Sequence, residues 1–254
     1  MADIINKYTQ NLNRIEFVIT YACTGRCKHC SEGEHSGKGE HIDAETAAKV
    51  VQEVAGKYTI NSVMTFGGEP LLYTEAVYAV HSAAKEMNIP KRQLITNGFF
   101  SKDSAKIKAV AEKLAECGVS DILLSVDAFH QETIPLEPVK EFATELKKLG
   151  VPLRVHPAWL VSKEHDNPYN NRTKQILAEF EALGIMQSDG NSIFPSGNAL
   201  KYLSDYFEPD KEYTSPYEED PTDIRTVSIS PNGEVLNGNI YNTDILEILK
   251  KYVP

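Results

Sequence analysis

Apolar residues along the chain alternate between short strand-like runs and longer stretches of helical period. The strand-like runs are residues 15–20, 62–66, 93–96, 121–126, 153–159 and 191–194. Apolar residues recur three or four positions apart within residues 43–58, 74–87, 101–117, 135–149 and 171–183. Asp43, Thr74 and Ser101 are suitable N-cap residues for the first three of these helices. Strands alternating with helices in this way are typical of a parallel sheet built from β/α units.

Six predicted strands are fewer than the eight of a closed TIM barrel. We therefore expect an α/β fold with a partial (β/α)6 TIM-like barrel, open on one side to a larger substrate. Near the C-terminus, residues 226–230 and 234–236 flank Pro231-Asn232-Gly233, which predicts a short β-hairpin, and residues 244–252 predict a last helix. This pattern divides the chain into a barrel, residues 1–206, and a C-terminal extension, residues 207–254, packed on the same domain.

Composition limits the class of protein. A chain of 254 residues that is 41% hydrophobic can bury a full core as one domain. No apolar run approaches the roughly 20 residues of a membrane span, and the N-terminus lacks the apolar centre of a secretory signal, so we expect a soluble, cytoplasmic protein with no membrane partner. The net charge of -10 disfavours binding to nucleic acid.

Much of the negative charge lies in residues 207–223, where seven acidic residues accompany one lysine. A proline-containing acidic stretch of this kind is typical of a solvated connection between ordered elements. The alternative is a lid that attracts a cationic substrate, and the sequence leaves both interpretations open.

The segment with the clearest candidate metal ligands is YACTGRCKHCSEG, in which Cys23, Cys27 and Cys30 follow the first predicted strand. Three thiolates on one short loop can hold three corners of a [4Fe–4S] cubane and leave the fourth iron without a cysteine. A small chelating molecule can bind that open iron. The alternative is a structural zinc site completed by His29 or His35, although no second pair of ligands follows along the chain.

The spacing Cys-x3-Cys-x-(aromatic)-Cys after the first strand resembles the hallmark of the radical S-adenosylmethionine (radical SAM) superfamily, with His29 in the aromatic position. The resemblance implies one [4Fe–4S] cluster and S-adenosylmethionine as cofactors. In that superfamily, reductive cleavage of S-adenosylmethionine yields a 5′-deoxyadenosyl radical that abstracts hydrogen from the substrate. It also implies an external low-potential electron donor, such as flavodoxin or ferredoxin.

Other positions at the ends of predicted strands strengthen the resemblance. Gly67-Gly68-Glu69-Pro70 after the second strand is similar to the superfamily's motif for the methionyl amino group, with Glu69 available to pair with an ammonium group. The remaining cofactor-binding candidates are His29, Thr96, Asn97, Ser125, Asp127 and His156. Of these, we predict that Asp127 and His156 also act in catalysis. Thr96 and Asn97 have an alternative role in turn formation, and His156 in structural hydrogen bonding.

The resemblance extends to the C-terminus, where Pro195-x-Gly197-x-Ala199 is similar to a Pro-x-Gly-Arg-Ala turn of enzymes with a SPASM or twitch extension. Asn198 replaces the usual arginine. The predicted hairpin and last helix resemble such an extension, but residues 207–254 contain no cysteine for an auxiliary cluster. We expect the fourth cysteine, Cys117, to be a small buried residue of a helix. The chain should therefore hold a single cluster.

The sequence supports hydrogen abstraction from a peptide or a small-molecule substrate. The extended subfamily often modifies peptides, which favours a peptide. Against this, residues 1–14 are too few for a separate leader-binding domain, and the missing auxiliary cluster favours redox-neutral outcomes such as epimerisation or rearrangement. A small-molecule transformation of a sugar, nucleotide or amino acid is the alternative. More remote hypotheses are an electron-transfer protein and a zinc-stabilised binding module without catalysis.

Overall fold

The structure is a computed structural model that describes residues 5–35, 39–208 and 219–254. The strands are β1 (Arg14–Val18), β2 (Ser62–Phe66), β3 (Lys91–Thr96), β4 (Asp121–Leu124), β5 (Leu153–Val155), β6 (Ala158–Trp159), β7 (Met186–Gln187), β8 (Asn191–Ser192), β9 (Thr226–Ile229), β10 (Glu234–Val235) and β11 (Gly238–Asn239). The helices are α1 (Ala44–Lys57), α2 (Thr74–Glu86), α3 (Ser104–Glu116), α4 (Ala128–Gln131), α5 (Leu136–Lys148), α6 (Pro168–Ala182), α7 (Gly197–Tyr202) and α8 (Ile245–Lys251).

Seven strands form one sheet in the order β7-β5-β4-β3-β2-β1-β9, and every neighbouring pair is parallel. Helices connect most successive strands, as parallel strands require. The two edge strands, β7 and β9, do not pair with each other, so the barrel is open. The predicted fold class, an α/β partial barrel of TIM type, is confirmed.

The two faces of the sheet differ in polarity because successive side chains of a strand point to opposite faces. In β1, Ile15 and Phe17 are fully buried in the core that also contains Val50 and Val54 of α1. The alternate face carries polar side chains, listed here with their strands: Arg14 and Glu16 of β1, Gln93 of β3, Asp121 of β4 and Arg154 of β5. The helices therefore cover an apolar outer face, and the barrel interior is polar towards the start of the strands.

The prediction of a sixth barrel strand at residues 191–194 is wrong. The sixth position belongs to β7, and β8 instead pairs with β6 in a separate two-stranded sheet. Both residues of β7 are exposed, so an apolar pattern could not reveal this strand. The chain turns between β7 and β8 at Gly190, whose φ is 76° and whose backbone lies too close to the Pro157 carbonyl oxygen for a side chain to fit.

The predicted short C-terminal hairpin is present, but its arms are β10 and β11, so the placement of residues 226–230 in one arm is wrong. β9 joins the main sheet parallel to β1, and β10 pairs with β11 instead. The turn itself is present, because Gly233 N donates to Ser230 O at 2.9 Å. Pairing with β1 buries Val227 and Ile229 completely. Pro231-Asn232-Gly233 correctly predicted the turn. A local turn motif cannot show that the preceding strand pairs with β1, more than 200 residues earlier in the sequence. The division at residue 206 stays a prediction.

The helix ends follow local hydrogen bonding. Asp43 caps α1 as predicted, accepting a hydrogen bond from Thr46 N at 2.8 Å. Ser101 is not the cap of α3, because Asp103 accepts from Ala105 N, and Thr74 is already the first residue of α2 after a short 3-10 turn. Residues 209–218 of the acidic stretch lie outside the described residues. Within the three described ranges, no helix has the length and apolar character needed to cross a membrane.

Candidate active site

A cavity of about 490 Å³ lies at the C-terminal edge of the sheet, where the loops after the strands meet. Each parallel strand contributes the residues that follow it, as in other β/α barrels. The predicted site residues that line the cavity are Cys23, Cys27, His29, Cys30, Gly67, Gly68, Thr96, Asn97, Ser125, Asp127 and His156. Of the site residues predicted from the sequence, only Glu69 does not line it.

The three loop cysteines are free thiols, and Cys23 and Cys27 are buried. Burial raises the pKa of Cys23 to about 11, and the nearby Glu69 carboxylate adds to the shift. Burial also raises the pKa of Cys27, with a further contribution from Asp127. Without a metal these thiols hold their protons, so a bound metal must displace the protons.

The Gly67-Gly68-Glu69 turn lies directly under the cysteine loop. Gly68 N donates to Thr20 O, and Glu69 N donates to Ala22 O, both at 2.8 Å. A β-carbon at Gly68 would lie 2.2 Å from the Ala22 carbonyl oxygen. The absence of a side chain at Gly68 therefore allows the backbones after β1 and β2 to approach each other, which positions Cys23.

Glu69 is fully buried and its carboxylate is surrounded by donors from its own chain. Oε1 accepts from Leu71 N at 2.9 Å and from the Thr96 hydroxyl at 2.7 Å, and Oε2 accepts from Asn97 N at 2.8 Å. Burial raises the pKa of Glu69 to about 7, although these hydrogen bonds oppose the shift. Its observed contacts connect the turn after β2 with the end of β3, and contact with a cofactor stays a prediction.

The residues at the end of β3 extend this connection to the cysteines. The Asn97 amide Nδ2 lies 3.6 Å from Cys23 Sγ and donates to Thr24 Oγ1 at 3.2 Å. Asn97 Oδ1 accepts from Phe99 N at 2.8 Å, so the side chain also forms the turn that the sequence offered as its alternative role.

After β4, Asp127 is fully buried and caps the short helix α4. Its Oδ1 accepts from Phe129 N and His130 N, and its Oδ2 accepts from His130 Nδ1 at 2.8 Å and from Ala158 N at 3.0 Å. Burial alone would raise the pKa of Asp127, but the charge and hydrogen bond of His130 outweigh it and hold the pKa well below its usual range. The carboxylate is therefore ionised and fixes His130 at the cavity wall.

His156, after β5, is half-buried, and its Nδ1 lies 2.7 Å from Ser188 Oγ. Burial lowers the pKa of His156, with Arg154 adding to the shift, so the ring is neutral near pH 7. The nearby Trp159 ring, in β6, is buried, and its Nε1 donates to Asp189 O at 2.6 Å. Trp159 does not line the cavity.

One anchor of the cysteine loop was not predicted as a site residue. Asn198, at the start of α7, donates from Nδ2 to Cys27 O at 3.1 Å and to Gly33 O at 3.0 Å, while its backbone N donates to Cys30 O at 2.9 Å. Gly197 lies so close that a β-carbon would be 2.3 Å from Ser31 O. The signal was the Pro195-x-Gly197-x-Ala199 motif, and Asn198 in the arginine position binds the loop itself.

The donor set can be tested against the two metal interpretations. Two sulfurs on one zinc ion lie at most about 4.6 Å apart, because each Zn–S bond is about 2.3 Å. In the part of the chain that is described, the one group of three ligand atoms within 4.8 Å of one another is Cys27, His29 and His130, so the three cysteine sulfurs are not gathered around a single ion. Three thiols spread around one cavity fit a cluster with several metal corners.

A family model described as "Radical SAM superfamily" matches residues 17–168. A probable GTP 3′,8-cyclase of Saccharolobus solfataricus is 30% identical over 131 residues, which cover 51% of this chain and 40% of that protein. A probable GTP 3′,8-cyclase of Archaeoglobus fulgidus is 26% identical over 130 residues, which cover 50% of this chain and 40% of that protein. The chain thus matches well under half of the length of these curated relatives.

Solved structures with the same fold include Streptococcus suis SuiB bound to the precursor peptide SuiA, with a TM-score of 0.59 and 13% identity over 97% of this chain and 66% of that one. Native anSMEcpe with bound AdoMet gives a TM-score of 0.58 and 14% identity over 94% of this chain and 81% of that one. At these identities the likeness shows the fold alone.

Proposed function

Because the chain belongs to the radical SAM superfamily, we propose that this enzyme holds one [4Fe–4S] cluster on Cys23, Cys27 and Cys30 and uses S-adenosylmethionine to abstract hydrogen from a substrate. When bound, the cluster supplies the electron that cleaves S-adenosylmethionine into methionine and a 5′-deoxyadenosyl radical. The observation that carries the proposal is that three free thiols on one loop line the same cavity as the residues after β2, β3, β4 and β5.

The chain's own residues have the task of positioning and shielding. Gly68, Asn97 and Asn198 fix the loop that carries the thiols from three directions. Asp127 holds His130 and the backbone of Ala158, so we assign it a positioning role as well as the catalytic role predicted from the sequence. His156 lines the cavity as a neutral ring, which suits hydrogen bonding to S-adenosylmethionine or to substrate.

We propose a single cluster for the chain. It has four cysteines, and the fourth, Cys117, is buried at the end of α3, where its thiol donates to Leu114 O. As expected, Cys117 is a small residue of the core. The electron therefore comes from an external low-potential donor, for which flavodoxin or ferredoxin is the expected class.

For the substrate, the sequence relatives favour a small molecule over the peptide that the subfamily resemblance favoured. The curated relatives near 30% identity are named as probable GTP 3′,8-cyclases, whereas the peptide-bound structure is 13% identical and supports the fold alone. We therefore propose hydrogen abstraction from a small molecule, such as a nucleotide, and retain peptide modification as the outcome that the experiment must distinguish.

The reaction class is tested by anaerobic reconstitution with iron and sulfide, followed by incubation with S-adenosylmethionine and dithionite. We expect about four irons and four sulfides per chain, and release of 5′-deoxyadenosine with methionine. Cys27→Ala should release neither product. Equal product from Cys27→Ala and wild type, or a zinc-only protein, would overturn the assignment.

The substrate class is tested in the same assay by comparing two additions, GTP with other nucleotides and a mixture of short peptides. A true substrate raises 5′-deoxyadenosine release above the uncoupled rate and is converted into a product that separates from it by chromatography, whether or not its mass changes. Nucleotide-dependent stimulation supports the small-molecule proposal. Stimulation by peptides alone would replace it with peptide modification and leave the reaction class intact.

A further inference from the structure

At the cysteine loop lies a second group of metal-ligating side chains, which shares one cysteine with the proposed cluster and adds two histidines. Cys27, His29 and His130 each place one ligand atom within 4.8 Å of the other two, and no other such triple occurs in the described ranges. Ligand atoms on one zinc ion lie at most about 4.4 Å apart for a sulfur and a nitrogen, so small side-chain adjustments suffice to bind a single ion.

His130 is already oriented as a metal ligand. Its Nδ1 lies 2.8 Å from Asp127 Oδ2, which leaves Nε2 to bind a metal. Asp127 is itself fixed by backbone donors from Phe129 and Ala158. A carboxylate that orients a histidine by the other ring nitrogen is the common outer-shell arrangement of zinc-binding histidines.

His29 has an unsatisfied nitrogen next to this pair. Its Nδ1 is buried and has no hydrogen-bond partner, and its ring packs 5.0 Å from Phe129 and 4.8 Å from His130 between ring centroids. A buried nitrogen without a partner has lost its hydration without gaining a hydrogen bond, so a bound metal would satisfy it. Phe129 in turn stacks on Tyr169, so an apolar wall excludes water from one side of the histidines.

We propose that the cluster-free chain binds one divalent transition metal of the zinc class through Cys27 Sγ, a ring nitrogen of His29 and His130 Nε2. One thiolate and two imidazoles suit this class of ion, and a fourth position is left for water. Cys27 is also a cluster ligand in the proposed function, so the single ion and the cluster exclude one another. The proposal of a metal site is based on the geometry of Cys27, His29 and His130. The proposal that this ion and the cluster exclude one another rests on the proposed function.

The cysteines separate this site from a zinc site made of the three loop thiols. Cys30 Sγ lies 3.0 Å from His35 Nε2, and Cys23 Sγ accepts from Gly25 N at 3.3 Å, so both sulfurs have other contacts. The single-ion site needs Cys27 alone among the cysteines, while the cluster needs all three. Variants of Cys23 and Cys27 therefore have different effects on the two forms of the protein.

The metal site is tested by anaerobic titration of the full, cluster-free chain with Co²⁺, whose tetrahedral thiolate complexes absorb visible light. We expect one Co²⁺ per chain with a thiolate charge-transfer band, displaced by Zn²⁺. Cys27→Ser, His29→Phe and His130→Ala should each lose the band, while Cys23→Ser and Cys30→Ser should retain it at unchanged stoichiometry. Asp127→Asn should weaken Co²⁺ binding by about 10- to 100-fold.

Circular dichroism and thermal melting of each variant separate loss of a ligand from loss of the fold. Loss of the band in Cys23→Ser as well as in Cys27→Ser would overturn the proposal in favour of a three-cysteine site. A band that survives in folded His130→Ala would also overturn it. Neither result depends on whether iron assembles on the chain, so a failure of the proposed function is recognised separately.

The exclusion is tested by iron reconstitution after one equivalent of Zn²⁺ is added. Zinc should slow cluster formation in wild type, whereas His130→Ala should assemble its cluster equally fast with and without zinc. Equal inhibition of both proteins would show that zinc acts on the loop cysteines and would reject the shared-ligand mechanism.

Discussion

Both ends of the barrel interior carry polar side chains, but their hydrogen-bonding groups are satisfied to different degrees. Towards the start of the strands, Arg14 donates to Gln93 Oε1 at 3.0 Å, Gln93 donates to Asp121 Oδ2 at 2.8 Å, and Arg154 donates to the same oxygen at 3.0 Å. At the C-terminal edge, three thiols keep their protons and His29 Nδ1 has no partner. One end is a closed hydrogen-bonded ladder, and the other holds groups with unused binding capacity.

The difference indicates which end of the barrel is the functional one. Buried polar groups normally have hydrogen-bond partners, so a group without one marks either a ligand-binding site or a locally unfavourable contact. Two of the three unpartnered buried side-chain atoms in the described residues, on His29 and Gln131, lie at the C-terminal edge. The third, His81 Nδ1, lies in the core, where His81 Nε2 contacts the Thr65 hydroxyl at 2.9 Å. Changes to the ladder should therefore affect stability without affecting activity, and removal of a ligand side chain from the cavity should affect activity with little effect on stability.

The strongest test of this division is Cys23→Ala, which removes a ligand from the open end. We expect reconstituted iron to fall to background and turnover to be lost, while the unfolding free energy of the cluster-free chain changes by no more than about 1 kcal/mol. Iron analysis and urea denaturation measure the two effects. Cys117→Ala is the matched control, because it should retain iron and turnover, and iron loss from that variant would refute the assignment of Cys117 to the core.

The sequence predicted the site well because each candidate follows a strand, and parallel strands bring those positions to one edge. It could not show that the Glu69 carboxylate binds backbone donors of its own chain. A Gly-Gly-Glu turn has the same sequence whether the carboxylate contacts a ligand or the backbone nitrogens of Leu71 and Asn97. It also missed β9 as a barrel strand, because pairing with β1 is set by tertiary packing. Asn198 lay in a recognised motif, but its contact with Cys27 spans 171 residues of sequence.

A second test acts on the support of the open end. Gly68→Ala places a β-carbon 2.2 Å from the Ala22 carbonyl oxygen, so the two loop backbones must separate. We expect a loss of about 4 kcal/mol in unfolding free energy, the range typical of severe steric conflict. Gly56→Ala is the control, because it lies in α1 with no atom within 4 Å of the added carbon and should stabilise by about 0.5–1 kcal/mol. Equal melting of the two variants would contradict the close approach.

Glu69 allows a test by pH, because burial raises its pKa from a usual 4.5 to about 7. Between these values the folded chain keeps a proton that the unfolded chain has lost, so the contribution of Glu69 to stability falls as pH rises. The loss between pH 5 and pH 8 should be about 2–3 kcal/mol, and Glu69→Gln should lack it. Urea denaturation of both proteins at the two pH values measures the difference. Parallel pH dependences would show that the Glu69 pKa is not raised.

The mildest test breaks the closed end at Asp121, the acceptor shared by Gln93 and Arg154. Asp121→Ala leaves the Gln93 amide without its acceptor in a buried position, so we expect the unfolding free energy to fall by about 2 kcal/mol. Asp121→Asn keeps one acceptor oxygen and should lose about half as much. Both variants should bind iron and release 5′-deoxyadenosine as wild type does, because the ladder lies at the opposite end of the strands from the cysteine loop. If either variant keeps its stability but loses iron, the two ends of the barrel are coupled. Whether a buried polar group has a hydrogen-bond partner would then not distinguish structural groups from functional ones.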